Sequence, residues 1–157
     1  MQIHLVSGEI HSWKTTWLKE HLLIEKACCG ILSPLINGKR YFLNISTRET
    51  VCLEASPNEK EVLEIGKYKF SVNAFNWAIQ QIESCLNQPT ATVIIDEVGP
   101  LELQGKGFAS ILNKLLSSSD ISDLVLVVRQ SAVSAVLKTF HIDPEKVSYI
   151  NWTPYSV

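Results

Sequence analysis

Short apolar runs alternate with stretches of helical spacing along this chain. Residues 2–6 (QIHLV) are apolar and rich in β-formers, and Gly8 follows shortly after. Residues 14–26 carry Leu18, Leu22 and Leu23 with charges between them, which is helical spacing. Residues 28–32 (CCGIL) read as a second buried strand, interrupted by Ser33-Pro34. Asn37-Gly38 is a strong hairpin signal, so 40–46 and 50–55 are expected as two strands of a β-excursion. Residues 56–71 are polar and read as a loop that ends in a short strand at 68–71.

The second half is more regular. Residues 73–86 place Phe75, Ala78, Ile79, Ile82 and Leu86 on one helical stripe, with Asn73 as the expected N-cap. Residues 90–99 (TATVIIDEVG) hold a short apolar strand that ends in two acids and a glycine. A helix is expected within 107–119, and 123–129 (DLVLVVR) form a continuous apolar run, as in a strand covered on both faces. Residues 131–140 read as a helix capped by Ser131, and 146–152 as a closing strand. Strands and helices that alternate in this way predict an α/β class with three layers and a mostly parallel central sheet. The hairpin region near 40–55 adds an antiparallel excursion. No repeat or linker divides the chain, so residues 1–157 are expected to form a single domain.

Composition narrows the function classes. The chain has 157 residues, enough for a full core, with 46% hydrophobic and 19% charged residues. A net charge of -2 gives no electrostatic footprint for nucleic acid or an anionic membrane. No apolar run approaches the roughly 20 residues of a spanning helix. The N-terminus shows no signal-peptide pattern, so a cytoplasmic location is expected. Cys28, Cys29, Cys52 and Cys85 form no C-x-x-C pair and are expected as reduced, mostly buried thiols. The four histidines are scattered, which argues against a zinc site.

Two short motifs carry the chemistry. Gly8, Lys14 and Thr15 match the spacing of the phosphate-loop template G-x-x-x-x-G-K-[ST], between a strand and a helix. In such a loop, backbone N–H groups and the helix dipole hold phosphates, the lysine reaches the outer phosphates and the hydroxyl ligates Mg²⁺. The loop would comprise Gly8, Glu9, Ile10, His11, Ser12, Trp13, Lys14, Thr15 and Thr16. The second motif is Asp96-Glu97 at the end of an apolar strand, where ligands of open α/β sheets bind. Asp96 is suited to Mg²⁺, and Glu97 to orienting or deprotonating an attacking water. Acids also end strands simply by capping the next helix, but the two motifs occur in the order used by P-loop nucleotide hydrolases.

The segment DEVGPLEL, followed by Phe108, resembles a signature of the small nucleoside-triphosphatase family. That family has thermophile members and includes the cancer-related nucleoside-triphosphatase. Residues 66–75 (GKYKFSVNAF), 30–43 (GILSPLINGKRYFL) and 127–130 (VVRQ) resemble further segments of it, so the likeness runs through nearly the whole chain. The resemblance implies a RecA-like P-loop fold and Mg²⁺-dependent hydrolysis of nucleoside triphosphates such as ATP or GTP. Carried over by position, Gly8, Lys14 and Thr15 bind phosphate and Mg²⁺, Asp96 assists the metal, and Glu97 handles the water. Arg129 becomes a phosphate or transition-state contact, and Glu102 a structural acid.

The chain also departs from that pattern. Trp13 stands where the template has its second glycine, which lets backbone approach phosphate closely. Glu9 adds a carboxylate near an anion site. The family's Glu and Arg after the strand-ending step are replaced by Ser33, Pro34, Leu35, Ile36 and Asn37, with Lys39 and Arg40 available to compensate. Three readings follow. The first is a slow Mg²⁺-dependent nucleoside triphosphatase. The second is a catalytically impaired module that binds nucleotide or an unknown protein partner. The third, a small-molecule kinase, has less sequence support, since no Arg-rich lid and no acceptor site are visible. Trp13→Gly is expected to tighten nucleotide binding, seen as a larger rise in unfolding temperature at equal Mg-ATP. An unchanged rise contradicts crowding by the indole.

Overall fold

The computed structural model describes residues 1–8, 18, 27–88 and 91–150. The expected helix over 14–26 (Leu18 apart), the loop residues 9–16 and the final residues of the closing strand lie outside the described residues. Ten strands are described, β1 (Gln2–Gly8), β2 (Cys28–Leu32), β3 (Leu35–Ile36), β4 (Lys39–Asn44), β5 (Thr50–Cys52), β6 (Val62–Ile65), β7 (Tyr68–Ser71), β8 (Ala91–Val98), β9 (Ile121–Arg129) and β10 (Val147–Ile150). The described α-helices are α1 (Val72–Cys85), α2 (Pro100–Leu103), α3 (Ala109–Leu116) and α4 (Val133–Thr139).

The main sheet has the order β10-β1-β9-β8-β2-β4-β3, with β5 paired to β4. The five strands from β10 to β2 run parallel. Beyond them, β4 pairs antiparallel with β2, β3 and β5, which is the expected excursion. Its Asn37-Gly38 turn has positive φ at both residues, 49° and 78°, as a two-residue hairpin requires.

Residues along the central strands alternate between two buried clusters. Leu5, Ile31, Ile95 and Leu126 join one cluster, with Phe75, Ala78 and Ile82 of α1 and Leu112 and Leu115 of α3. Val6, Leu32, Ile94 and Val127 join the other, where Leu18 is also buried. A sheet covered on both faces must be apolar at successive positions, which is why β8 and β9 read as continuous runs. Each such side chain contributes about 1.5–3 kcal/mol on burial.

Four sequence expectations need correction. The cap of α1 is Ser71, not Asn73. Its Oγ accepts a hydrogen bond from the Ala74 N–H at 3.1 Å and donates to Glu59. Such a cap is worth about 1 kcal/mol, and Ser71 has it two residues before Asn73 could. The stretch 56–71 contains a second strand, β6, paired antiparallel with β7 around Gly66 at φ 57°. Ser131 does not cap a helix. It lies within a 3-10 turn, Gln130–Ala132, and α4 starts afterwards with no side-chain cap.

Last, Cys29 and Cys85 are not separate thiols but are bonded, joining β2 to the last turn of α1 with Cα atoms 6.0 Å apart. Neighbours in a strand face opposite sides, so Cys29 alone turns toward α1.

Among the described glycines the tightest approach is at Gly30, whose φ is 116°. A Cβ there would lie 2.1 Å from the Ile94 carbonyl oxygen on β8. Gly30→Ala therefore combines an unfavourable backbone region with overpacking, and a loss of about 3 kcal/mol or more is expected. Urea unfolding measures this, and a loss well under about 1 kcal/mol would show that β2 and β8 can separate cheaply.

Candidate functional site

Neighbouring parallel strands end on one side of the sheet, and Gly8 and the Asp96-Glu97 pair lie there. Gly8 ends β1 and pairs with Arg129, which ends β9. On the other side of β9, Asp96 of β8 pairs with Val127 and Val98 with Val128. Glu97 is the extra residue between them, a bulge that takes it out of strict alternation. The Asp96–Glu97 peptide is cis. Gly8, Asp96, Glu97 and Arg129 thus share one edge, spread across three adjacent strands. Neighbouring strands lie about 4.8 Å apart, so β1 and β8 are separated by about 10 Å. The remaining loop candidates, Glu9, Ile10, His11, Ser12, Trp13, Lys14, Thr15 and Thr16, lie outside the described residues.

Asp96 is only 3% exposed. Its Oδ2 accepts a hydrogen bond from the Ser33 N–H at 3.0 Å, and the Ser33 hydroxyl donates to the Asp96 carbonyl. Ser33, just past β2, therefore ties the exit of that strand to the acid. Arg40 of β4 reaches the same point, donating from Nη1 to the Ser33 carbonyl at 3.4 Å. Lys39 is exposed and does not line the site. Sequence reasoning treated 33–37 as a loss of charge and missed Ser33. The available signal was a small hydroxyl residue directly after a buried strand.

Glu97 is half-buried and accepts a charge-assisted hydrogen bond from Arg129 Nε at 2.7 Å. These two residues are 32 positions apart and meet because β8 and β9 are neighbours.

Behind Glu97, the carboxylate of Glu102 is buried under the site. Oε2 accepts from the Gly99 N–H at 2.8 Å and Oε1 from the Phe108 N–H at 2.9 Å. A glutamate at the third helical position reaching back to the first free N–H is a capping interaction, here for α2. Gly107 passes so close, at φ 56°, that a Cβ would lie 2.3 Å from Glu102 Oε1. The DEVGPLEL segment and Phe108 are thus one folded unit, with the acid inside it. Phe108 packs with Phe42 and Phe75 at centroid distances of 5.4 and 5.0 Å.

A cleft of about 430 Å³ opens beside the acids. Ser33, Arg40, Glu54, Glu97, Glu102 and Arg129 supply its polar wall. The rest is apolar and largely aromatic.

Burial raises the Glu102 carboxyl above its ordinary value of 4.5, and the nearby Glu97 charge adds to this, while the backbone hydrogen bonds act in the opposite direction. The native state therefore holds the proton to higher pH than the unfolded chain does. This group's contribution to stability is largest below the unfolded value and declines as pH climbs through the native one. The unfolding free energy of the wild type relative to Glu102→Gln should fall as pH rises above the ordinary value of 4.5. Denaturant titrations at several pH values read this directly, and a difference that rises with pH contradicts the burial argument.

A family model described as NTPase matches residues 4–153. The crystal structure of THEP1 from the hyperthermophile Aquifex aeolicus superposes with a TM-score of 0.72 at 19% identity, covering 97% of this chain and 90% of that one. The solution structure of a human cancer-related nucleoside triphosphatase superposes with a TM-score of 0.63 at 14% identity, covering 98% and 89%. No curated protein sequence matches significantly. The two solved structures share the three-layer P-loop fold expected from the sequence. With nearly all of its length inside the family match, the chain belongs to the NTPase family.

Proposed function

We propose that the chain is a Mg²⁺-dependent nucleoside triphosphatase that converts ATP, GTP or a related triphosphate slowly to the diphosphate and phosphate. The observation that carries this reading is the common edge shared by Gly8, Arg129, Asp96 and Glu97. A triphosphate held at the loop after β1 would extend past the tip of β9 toward the acids of β8. Membership of the NTPase family supports the same substrate class.

The donor set suits magnesium better than a cation that needs a full protein cage. Among the described residues, no group of three or more His, Cys, Asp or Glu side chains could hold a metal. Magnesium keeps several waters and takes one or two carboxylates plus substrate phosphates, so Asp96 with the Thr15 hydroxyl is a fitting set. When bound, the ion would neutralise charge on the phosphates. Lys14 would contact the outer phosphates. Glu97 would orient the attacking water and take its proton. Arg129 holds Glu97, and a triphosphate arriving beside it would compete for the guanidinium. Its release to the phosphate would free Glu97 for water. Trp13 in place of glycine is the reason turnover is proposed to be slow.

The second reading is a nucleotide-binding or protein-binding module that has lost hydrolysis. Trp13 and the Glu97–Arg129 pair favour it, because the base is already engaged. Among the described residues, no helix is long and apolar enough to cross a membrane.

Mg-ATP and Mg-GTP are expected to stabilise the protein, by about 2.7 kcal/mol at a hundredfold excess over the dissociation constant. Phosphate release should fall about a hundredfold or more in Glu97→Gln. Equal release from wild type and variant discards hydrolysis by this site. No stabilisation at millimolar nucleotide discards both readings.

A further inference from the structure

The cleft beside Glu97 is far larger than hydrolysis needs. A water occupies about 30 Å³, whereas this cleft holds about 430 Å³, within the range of small-molecule sites. Its position is also specific. The wall is built from Ser33, β4, Leu53-Glu54, the β6–β7 hairpin, the start of α1, Glu97 with the segment after β8, and Arg129 at the tip of β9; none of the described residues of β1 or β10 lines it. Most of that wall therefore lies across β8 from β1, toward β2 and β4. If the triphosphate enters from β1, this is the side from which a nucleophile would approach. Glu97 stands at the boundary between the two.

We propose that the cleft is an acceptor site, and that the protein transfers the terminal phosphoryl group to a neutral small-molecule alcohol with a flat, largely apolar body. This rests on the nucleotide reading above and gives that site a second substrate. Phe42, Leu53, Ile65, Phe70 and Phe75 line the apolar part. At its mouth Tyr68 and Phe70 stack in parallel, centroids 6.1 Å apart, and Tyr68 is 56% exposed. An outward-facing ring of this kind offers a stacking surface to a planar ligand.

The charges select against a phosphate-bearing acceptor. Two arginines face three glutamates around the cleft. Arg129 is paired with Glu97, and Arg40 is bonded to the Ser33 carbonyl. Among the described residues there is no excess of positive charge to hold a second anion. The acceptor's hydroxyl would lie at Glu97. In the transfer, the bond between the terminal phosphorus and its bridging oxygen breaks, and that electron pair leaves with the nucleoside diphosphate. A new bond joins the phosphorus to the alcohol oxygen, and the alcohol proton passes to Glu97. The products are a phosphate monoester and the diphosphate, with the proton released from Glu97 afterwards.

The test incubates the full chain with Mg-ATP and, separately, benzyl alcohol, tryptophol, pyridoxine, adenosine or adenosine monophosphate, measuring ADP, free phosphate and phosphate monoester. Transfer predicts ADP in excess of phosphate, with the matching monoester, for at least one neutral alcohol and not for adenosine monophosphate. The rate of ADP formation should rise about tenfold or more over water alone. Tyr68→Ala should then raise the KM for that alcohol several-fold and leave the KM for ATP near its original value. ATP turnover with ADP equal to phosphate for every alcohol overturns the acceptor site while leaving the hydrolase intact. A rise in the KM for ATP in Tyr68→Ala, with no alcohol effect, shows instead that the nucleotide's own base occupies the cleft. Failure to bind ATP at all defeats the nucleotide reading and the transfer with it.

Discussion

The site depends on a single constraint, the parallel register of β1, β9, β8 and β2. Parallel neighbours must end on the same side of a sheet, so residues far apart in sequence arrive at one edge without any side chain directing them there. Burial on both faces enforces the register. Shifting any of these strands by one residue would exchange its members between the two core clusters and break the match at every position. Ile94 and Ile95, or Val127 and Leu126, could not both stay in place. Stability of the sheet and geometry of the site are therefore the same property of the chain.

Polar groups at that edge have to be satisfied where water is scarce. The three acids meet this requirement differently. Asp96 is bonded to the backbone and hydroxyl of Ser33, which couples the tip of β8 to the exit of β2. Glu97 stays partly exposed and draws on a long side chain, Arg129, from the next strand. Glu102 is sealed in and serves two backbone N–H groups, so its role is to hold the segment from Gly99 to Phe108 in shape. Three carboxyls within seven residues thus have separate environments. The most exposed of them, Glu97, is also one of those that line the aromatic cleft.

What the sequence made legible was mostly local. The continuous apolar runs identified β8 and β9, Asn37-Gly38 identified the hairpin, and the helical stripe of α1 located Phe75, Ala78 and Ile82 on the core side. The Asp96-Glu97 pair was readable because two acids directly after an apolar strand are conspicuous. Less local features escaped. β6 was hidden because it is only four residues long, carries Glu64 within it and follows a charged stretch, and its partner β7 supplies the pairing. The Ser33–Asp96 bond spans 63 residues and the Cys29–Cys85 bond 56, distances at which spacing carries no information. The cleft was invisible for the same reason, since its walls come from seven separate stretches that only the tertiary fold assembles.

The most direct measurement of the shared pocket uses Mn²⁺ in place of Mg²⁺. With ATP present, the paramagnetic ion broadens the NMR signals of nuclei close to it. Broadening should centre on the amides of Gly8, Asp96 and Glu97, with Arg129 also affected, and spare β3 at the far end of the sheet. Broadening that is absent with ATP, or that centres away from the ends of β1 and β8, would contradict a common metal–triphosphate pocket at this edge.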